Sequence, residues 1–270
     1  MTGLGQQGAP GPAGPSSATV VEALVGRLRV APALLLLLDY DGTLVPFARA
    51  PELARPDCEL IGLLQDLAAR PHTEVHVVSG RPHETLECWL GTLPIGLHAE
   101  HGLASRAPGA SAWVTRALSP QEWRPGVLDL MRAFAARTPG ALVEEKRAGV
   151  AWHYRAADPE LGMARARALE LELAALLPRA PASILPGAKV IEVVARGVNK
   201  GCLVPALNTR APAGALLVAI GDDRTDEDFF AALPPAALAI HVGPEPTRAS
   251  FRLGGVPDVR ALLRALGRGW

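Results

Sequence analysis

Apolar runs and amphipathic patterns alternate along most of the chain. Runs of Leu, Val, Ile and Ala that end at small or polar residues predict buried strands. These strands are Pro32–Leu38, Thr73–Val78, Ile95–His98, Ala215–Ile220 and Ala236–Val242. Helical patterns follow or separate them at Asp57–Ala69, Pro82–Leu90, Thr225–Leu233 and Asp258–Leu266. Because near-continuous apolar strands need cover on both faces, the pattern predicts a doubly wound, Rossmann-like α/β fold with a parallel sheet.

The pattern changes between residues 119 and 194. This stretch predicts two units, each with one helix followed by two strands. The elements are helix Pro120–Arg137, strands Ala141–Glu145 and Val150–Arg155, helix Pro159–Leu177, and strands Ser183–Leu185 and Lys189–Val193. We expect residues 119–194 to form an inserted α+β cap over a core of residues 20–118 and 195–270. Residues 1–19 are rich in Gly, Pro and Ser and are expected to be a disordered lead-in.

The composition argues against several classes of partner. The chain has 27 basic and 27 acidic residues, so no net charge draws it to nucleic acid or to an anionic membrane. Its longest purely apolar run, Ala33–Leu38, is far shorter than the ~18 residues of a membrane span, and the N-terminus lacks a signal-peptide pattern. The widely spaced Cys58, Cys88 and Cys202 indicate free thiols. We therefore expect a cytoplasmic, monomeric protein that acts on a small molecule.

Polar residues stand where three of the predicted strands end. They are Asp39 and Asp41, then Ser79, Gly80 and Arg81, and finally Asp222 and Asp223. Ligands of open α/β sheets bind at the carboxyl ends of the strands, so these residues are candidates for one site. Lys200, in the loop VNKG that opens the second part of the core, is a further candidate. Considered alone, such a lysine is more often a solvated surface residue.

The stretch DYDGT has three interpretations. A calcium loop would place glycine sixth and glutamate twelfth, but Leu44 and Ala50 occupy those positions. The aspartates could merely cap a turn. Alternatively, side chains two residues apart leave an extended strand on one face, and Gly42 permits the turn that follows. In that case Asp39 would be a nucleophile and Asp41 an acid/base.

The other two clusters also have a structural and a functional interpretation. Ser79 precedes a predicted helix, so its hydroxyl either caps the helix or, with nearby amides, binds a phosphate. In GDDRTDEDFF, Thr225 can cap a helix whose first turn carries Asp226, where the helix dipole favours acids. Asp222 and Asp223 precede that helix and would repel each other unless a cation lies beside them. Carboxylate oxygens suit Mg²⁺.

The motifs DYDGT, SGR, NKG and GDDRTDED, in this order, resemble the four motifs of the haloacid dehalogenase superfamily of phosphohydrolases. A closer resemblance, over residues 30–245, is to the trehalose-6-phosphate phosphatase family. It rests on LDYDGTL, VVSGR, GLHAEHG, VEEKRAGVAWHYR, VIEV followed by GVNKG, and GDDRTDEDFF. The resemblance implies a haloacid dehalogenase core with a cap that contacts the sugar. It also implies hydrolysis of trehalose 6-phosphate, the last step of trehalose biosynthesis, through an aspartyl phosphate.

The resemblance implies roles for the residues of the core motifs. Asp39 would attack phosphorus, and Asp41 would protonate the departing sugar oxygen and then activate water. Lys200 would neutralise charge during the reaction, and it would bind the phosphate together with Ser79 and Gly80. The implied ligands of Mg²⁺ are Asp39, the backbone carbonyl of Asp41, Asp222, Asp226 through water, and Asp223 as a further support.

The resemblance also implies contacts to the sugar. The residues concerned are Arg81, His98, Glu100, Glu144, Lys146, Arg155, Gly187 and Glu192, and His101 is considered beside the other residues of GLHAEHG. For Glu144, Lys146 and Arg155 taken alone, cross-strand charge pairing on a hairpin is the alternative. A lone histidine near a strand end is more often structural.

Several alternatives stay open at this point. Val194 and Ala195 stand where the family commonly has a basic residue and proline, so the stiffness of the hinge and closure of the cap are in question. Another sugar phosphate, such as sucrose 6-phosphate or mannosylphosphoglycerate, is an alternative substrate. A sensor that binds a sugar phosphate without turnover is an alternative of a different class. Loss of Asp39 or Asp41 would indicate such a sensor, but both residues are present. An association with trehalose-6-phosphate synthase also stays open.

Overall fold

A computed structural model describes residues 17–267 of the chain. Over this range the chain forms twelve strands and eight α-helices. The strands are β1 (Ala33–Asp39), β2 (Thr73–Val78), β3 (Gly96–Ala99), β4 (Ala104–Arg106), β5 (Val114–Thr115), β6 (Leu142–Glu145), β7 (Gly149–His153), β8 (Ala182–Gly187), β9 (Val190–Ala195), β10 (Ala215–Gly221), β11 (Leu238–Val242) and β12 (Phe251–Leu253). The helices are α1 (Ser17–Arg29), α2 (Cys58–Ala68), α3 (His83–Leu90), α4 (Arg124–Ala136), α5 (Pro159–Leu176), α6 (Val204–Arg210), α7 (Arg224–Ala232) and α8 (Val256–Gly267). No helix in this range has the length and apolar character needed to cross a membrane.

The larger sheet has eight strands in the order β12-β11-β10-β1-β2-β3-β4-β5. Neighbouring strands from β12 to β3 are parallel, whereas β4 and β5 are added antiparallel. The central strand β1 lies between β10 and β2 and is buried at every position. This arrangement confirms the predicted doubly wound α/β fold, and it brings the carboxyl ends of β1, β2 and β10 to one edge.

Alternation along β1 divides the core into two layers. Leu34, Leu36 and Leu38 pack into a cluster with buried residues of α1, α2, α3 and α8. Leu35 and Leu37 point to the other face and pack with buried residues of α6 and α7. Successive side chains of a strand point to opposite faces, so a continuous leucine run serves both layers at once.

The second sheet lies between β5 and α6 in the chain and has the antiparallel order β6-β7-β9-β8. One face is apolar, and Trp152 and Ile191 there pack with residues of α4 and α5. On the other face Glu144 is paired in register with Ala151, and Ala151 with Glu192. The small side chain of Ala151 therefore separates the two carboxylates on this polar face.

Several predicted boundaries differ from the structure. The predicted lead-in is wrong for residues 17–19, which begin α1, and residues 1–16 lie outside the described residues. The helix expected over Pro120–Arg137 begins at Arg124, with Pro125 in its first turn, where a proline loses no helical hydrogen bond. At the questioned hinge, Ala195 lies in β9 and its N–H donates to the carbonyl of Ala148 at 2.8 Å. That end of the strand is therefore held by the cap sheet.

Candidate active site

A cleft lies between the carboxyl edge of the large sheet and the polar face of the cap sheet. From the core it is lined by Asp39, Asp41, Ser79, Gly80, Arg81, His101 and Lys200. From the cap it is lined by Glu144, Lys146, His153, Arg155, Gly187, Lys189 and Glu192. Most of the residues singled out in the sequence therefore meet in one cleft. The chain has three lysines, Lys146, Lys189 and Lys200, and all of them line it.

Lys200 forms a buried bridge between two carboxylates. Its Nζ donates to Oδ1 of Asp39 at 2.6 Å and to Oδ1 of Asp226 at 2.7 Å, and the lysine is 2% exposed. Burial alone would lower the pKa of Lys200, but Asp226 and Asp39 outweigh burial and raise that pKa well above its usual value. The ammonium group therefore stays charged and fixes the orientation of the Asp39 carboxylate.

Three carboxylates converge beside this bridge. Side-chain oxygens of Asp39, Asp222 and Asp226 lie within 4.8 Å of one another. Burial and then the neighbouring carboxylates raise the pKa of Asp222 to about 10, because like charges crowd a poorly solvated site. A cation would relieve this repulsion, and an all-oxygen donor set fits a hard divalent ion.

The loop after β1 supports Asp222 from the other side. The hydroxyl of Thr43 donates to Oδ1 of Asp222 at 3.2 Å. Gly42 has a φ of 87°, and a Cβ at this position would overlap the Asp222 carboxylate. Both the left-handed backbone and the close approach of the carboxylate therefore require glycine after Asp41.

Asp223 lies at the start of helix α7. Its Oδ1 accepts hydrogen bonds from the Thr225 N–H at 2.8 Å and from the Thr225 hydroxyl at 2.7 Å. Asp223 is the N-cap of α7, so the prediction that Thr225 caps this helix is wrong. Among the described residues, the converging group contains Asp226 but not Asp223. The Oδ2 of Asp226 also accepts the N–H groups of Asp222 and Asp223, each at 3.1 Å.

Arg81 lines the cleft and is paired with the predicted acid/base, Asp41. Its Nε and Nη2 donate to the two carboxylate oxygens of Asp41, both at 2.7 Å. The guanidinium lies 4.6 Å from the ring centre of Trp89 and 5.7 Å from that of Tyr40. The backbone N–H of Arg81 donates to the hydroxyl of Ser79 at 3.2 Å. Fork-like pairing and stacking on aromatic rings hold Asp41 in one orientation.

The cap contributes a buried charged group that touches the core. Lys146 donates to Oε1 of Glu192 at 3.0 Å, and Nε2 of His101 lies 3.3 Å from Oε2 of the same glutamate. Burial alone would raise the pKa of Glu192, but Lys146 and His101 lower it to about 2. Nearby, Glu144 pairs with Nε2 of His153 at 2.8 Å. The polar face thus offers both donors and acceptors.

His98 and Glu100 do not reach the cleft. Within residues 17–267, neither is among the residues that line it. His98 lies inside the sheet, with Nε2 3.0 Å from Nδ1 of His76 and Nδ1 2.8 Å from Oγ of Ser105. Oε2 of Glu100 instead accepts the backbone N–H of Ala148 in the cap, at 2.8 Å. His98 and Glu100, which were predicted to contact the sugar, therefore lie outside the cleft lining, whereas His101 is part of that lining.

A pH prediction follows from the buried imidazoles. Burial lowers the pKa of His76, and burial and His76 lower that of His98 to about 3, whereas an unfolded histidine titrates near 6.5. Below about pH 6.5 the unfolded chain binds protons that the folded chain excludes. The free energy of unfolding should then fall by up to about 1.4 kcal/mol per pH unit for each histidine. We expect urea unfolding at pH 7, 6 and 5 to show that the free energy of unfolding falls less steeply with decreasing pH in His98→Asn than in the unchanged protein.

His72→Asn is the matched control, since His72 is exposed and its φ of 55° suits asparagine. In this variant the free energy of unfolding should fall with decreasing pH as steeply as it does in the unchanged protein. Equal pH dependence in all three proteins would show that the buried pair does not govern acid stability.

The remaining cap residues close one end of the cleft. The guanidinium of Arg155 packs 4.4 Å from the ring centre of Phe47 and donates to the carbonyl of Ala188. Lys189 has a φ of 62° at the tight turn after Gly187, and its Nζ lies 5.7 Å from the ring centre of Tyr154. Phe47 was not predicted, because the loop after β1 has no regular pattern.

Comparison with solved structures defines the class of fold. A haloacid dehalogenase-like hydrolase from Bacteroides thetaiotaomicron superposes with a TM-score of 0.60 at 16% identity, over 86% of this chain and 99% of that chain. The chain therefore shares the fold of that hydrolase, an α/β core with a cap.

The particular family follows from closer matches. The family model described as Trehalose-phosphatase matches residues 37–255, and the chain belongs to this family. The C-terminal domain of C. albicans trehalose-6-phosphate phosphatase superposes with a TM-score of 0.86 at 31% identity, over 92% of this chain and 96% of that chain.

Curated relatives are longer than this chain. A bifunctional trehalose-6-phosphate synthase/phosphatase of Thermoproteus tenax is 44% identical over 232 residues, which are 86% of this chain and 32% of the relative. A trehalose-phosphatase of Schizosaccharomyces pombe is 38% identical over 205 residues, 74% of this chain and 25% of the relative. The chain thus spans between a quarter and a third of these two relatives.

Proposed function

We propose that the chain is a Mg²⁺-dependent phosphatase that hydrolyses trehalose 6-phosphate to trehalose and phosphate. The observation that carries this proposal is the cleft itself. It places Asp39 and Lys200 of the core opposite Glu144, Lys146 and Glu192 of the cap. Residues 17–118 and 196–267 act as the catalytic core, and residues 119–195 act as the cap that selects the substrate. Family membership agrees with this division of work.

The core residues account for a two-step displacement. A carboxylate oxygen of Asp39 forms a bond to phosphorus as the bond from phosphorus to the sugar oxygen breaks. Asp41 gives its proton to that departing oxygen. A water molecule then loses a proton to Asp41 and attacks phosphorus, which releases phosphate and restores Asp39. Lys200 stabilises charge on the transferring group, and Ser79 can donate a hydrogen bond to it.

The three converging carboxylates form the proposed Mg²⁺ site. Asp39, Asp222 and Asp226 would hold the ion together with the backbone carbonyl of Asp41. Mg²⁺ bound there would neutralise charge on the phosphoryl oxygens. Arg81 acts on the reaction through Asp41, because it holds the carboxylate that must exchange protons.

The cap residues suit a disaccharide. Its hydroxyl groups need both hydrogen-bond donors and acceptors, and Lys146 and Glu192 supply both within one buried group. Arg155 and Gly187 line the same wall. We further propose that the protein is cytoplasmic and monomeric. An association with trehalose-6-phosphate synthase is compatible with the names of the relatives.

Phosphate release from a panel of sugar phosphates tests the proposal. We expect strong preference for trehalose 6-phosphate over sucrose 6-phosphate and glucose 6-phosphate, and loss of release without Mg²⁺. Metal-dependent release from another sugar phosphate would keep the core chemistry and discard the assignment of the cap. No release from any substrate, with trehalose 6-phosphate still bound, would make the chain a sensor.

A pair of neighbouring glutamates tests the cap directly. Glu144→Gln should lower kcat/KM for trehalose 6-phosphate about tenfold, since it weakens a charged hydrogen-bond acceptor in the cleft. It should leave hydrolysis of phenyl phosphate unchanged, because that small substrate does not reach the cap. Glu145→Gln is the matched control, because Glu145 pairs with Arg132 on the opposite face of β6. Equal effects of the two variants would contradict a sugar contact by Glu144.

A further inference from the structure

A second cavity lies beside the cleft, at the carboxyl ends of β10 and β11. It is bounded by the loop after β1, the cap turn at residues 186–188, the start of α7, residues 241–246 and the start of α8. The cleft and this second cavity share Phe47, Gly187, Ala188 and Asp223. Arg155, which packs on Phe47 and donates to the Ala188 carbonyl, strengthens the wall between them.

The converging carboxylates lie on both sides of this wall. Asp39 lines the cleft, whereas Asp222 lines the second cavity, and their side-chain oxygens lie within 4.8 Å of each other. Gly42 lines the second cavity too, directly against the Asp222 carboxylate. A cation held by Asp39 and Asp222 would therefore be close to both spaces.

The second cavity contains an unexplained polar side chain. His241 lines it, is 1% exposed, and has no hydrogen-bond partner at either ring nitrogen. Its Nε2 lies 3.9 Å from Oε2 of Glu245, which is mostly exposed at the rim. Burial lowers the pKa of His241, so the imidazole is neutral near pH 7 and keeps a free lone pair. The carboxylate of Glu227, which also lines this cavity, accepts hydrogen bonds from Thr247 and Arg248, so its oxygens already have partners.

The charge of the lining favours a cation. Its carboxylates are Asp222, Asp223, Glu227 and Glu245, and Arg224 is its one guanidinium among the described residues. An acidic concave surface concentrates cations and speeds their arrival. A neutral imidazole and a carboxylate suit Mn²⁺ directly and a hydrated Mg²⁺ through its waters.

We propose that the second cavity is the route by which the divalent cation reaches and leaves Asp222, with Glu245 at its rim and the buried His241 further in. The cation then exchanges without crossing the cleft that the sugar fills. This inference rests on the proposed metal role of Asp39, Asp222 and Asp226. Residues along a route change the speed of passage, whereas residues that hold the bound ion change its affinity.

Mn²⁺ binding provides the test and needs no substrate. Free Mn²⁺ measured by electron paramagnetic resonance gives Kd, and release into excess fluorescent chelator in stopped flow gives the dissociation rate. In His241→Val/Glu245→Gln, association and release should both slow about fivefold while Kd stays within twofold. Unchanged rates would overturn the proposal. So would weaker binding with faster release, which would make the pair ligands of the bound ion.

Charge reversal at the rim gives a second measurement. Glu245→Lys should slow Mn²⁺ association about tenfold at low salt, and the difference should shrink as salt screens the charge. Glu172→Lys, on the exposed surface of α5, is the control and should associate as the unchanged protein does. Equal association in both variants would overturn the proposal. If neither the unchanged protein nor the variants bind Mn²⁺, the proposed metal site itself is wrong. If all of them bind Mn²⁺ at equal rates, only the proposed route is wrong.

Discussion

Asp39→Asn should reduce phosphate release by about 10⁴-fold or more while the protein stays folded, because the amide cannot attack phosphorus as a carboxylate does. The fold should tolerate the change for an electrostatic reason. Burial and the neighbouring carboxylates outweigh Lys200 and raise the pKa of Asp39, so the folded protein disfavours the charge that the variant removes. Single-turnover phosphate release and thermal unfolding measure the two effects separately.

Asp129→Asn is the matched control for this variant. Asp129 lies on the exposed side of α4, so the same substitution there should change neither release nor the melting temperature. If Asp39→Asn kept most of its activity, Asp39 would not be the nucleophile. A large loss of stability would instead show that the carboxylate is needed for the structure.

Lys200→Met should affect both catalysis and stability. Removal of one preorganised cation from a transferring phosphoryl group costs about 10²- to 10³-fold in kcat. The variant also leaves Asp39 and Asp226 buried without their ammonium partner, which should lower the free energy of unfolding by about 3 to 5 kcal/mol. Phosphate release and urea unfolding in metal-free buffer give the two values.

A second substitution separates the two effects of Lys200. Adding Asp226→Asn to Lys200→Met removes one of the unpaired charges, so part of the lost stability should return without recovery of activity. The side-chain oxygen of the asparagine can still accept the hydrogen bonds that the N–H groups of Asp222 and Asp223 donate. A double variant no more stable than Lys200→Met would show that the unpaired charge is not what destabilises it.

Much of the core site could be predicted because parallel strands end at one edge of a sheet. Asp39, Ser79 and Asp222 each follow an apolar run, and the structure brings them together. The alternation of β6 likewise distinguishes Glu144, in the cleft, from Glu145 on the other face. These features depend on local periodicity, which a sequence displays.

Other features depend on contacts that periodicity does not display. The pair of Asp41 and Arg81 joins residues 40 positions apart, and the Asp39–Lys200 pair joins residues 161 apart. After β3, Glu100 and His101 adopt positive φ values of 46° and 56°, so alternation stops and His101, rather than His98, faces the cleft. Helix α1 did carry a signal, since its apolar residues recur with helical spacing, but its composition begins like the preceding lead-in.

The placement of the three lysines makes the cleft separately observable. Protein grown with ¹³C-labelled lysine would give side-chain signals from Lys146, Lys189 and Lys200, with no lysine elsewhere in the chain to obscure them. Two of these groups are buried in carboxylate pairs and one lies on the cap turn. A single spectrum would therefore follow the carboxyl edge of the large sheet, the polar face of the cap sheet and the cap turn as a ligand is added.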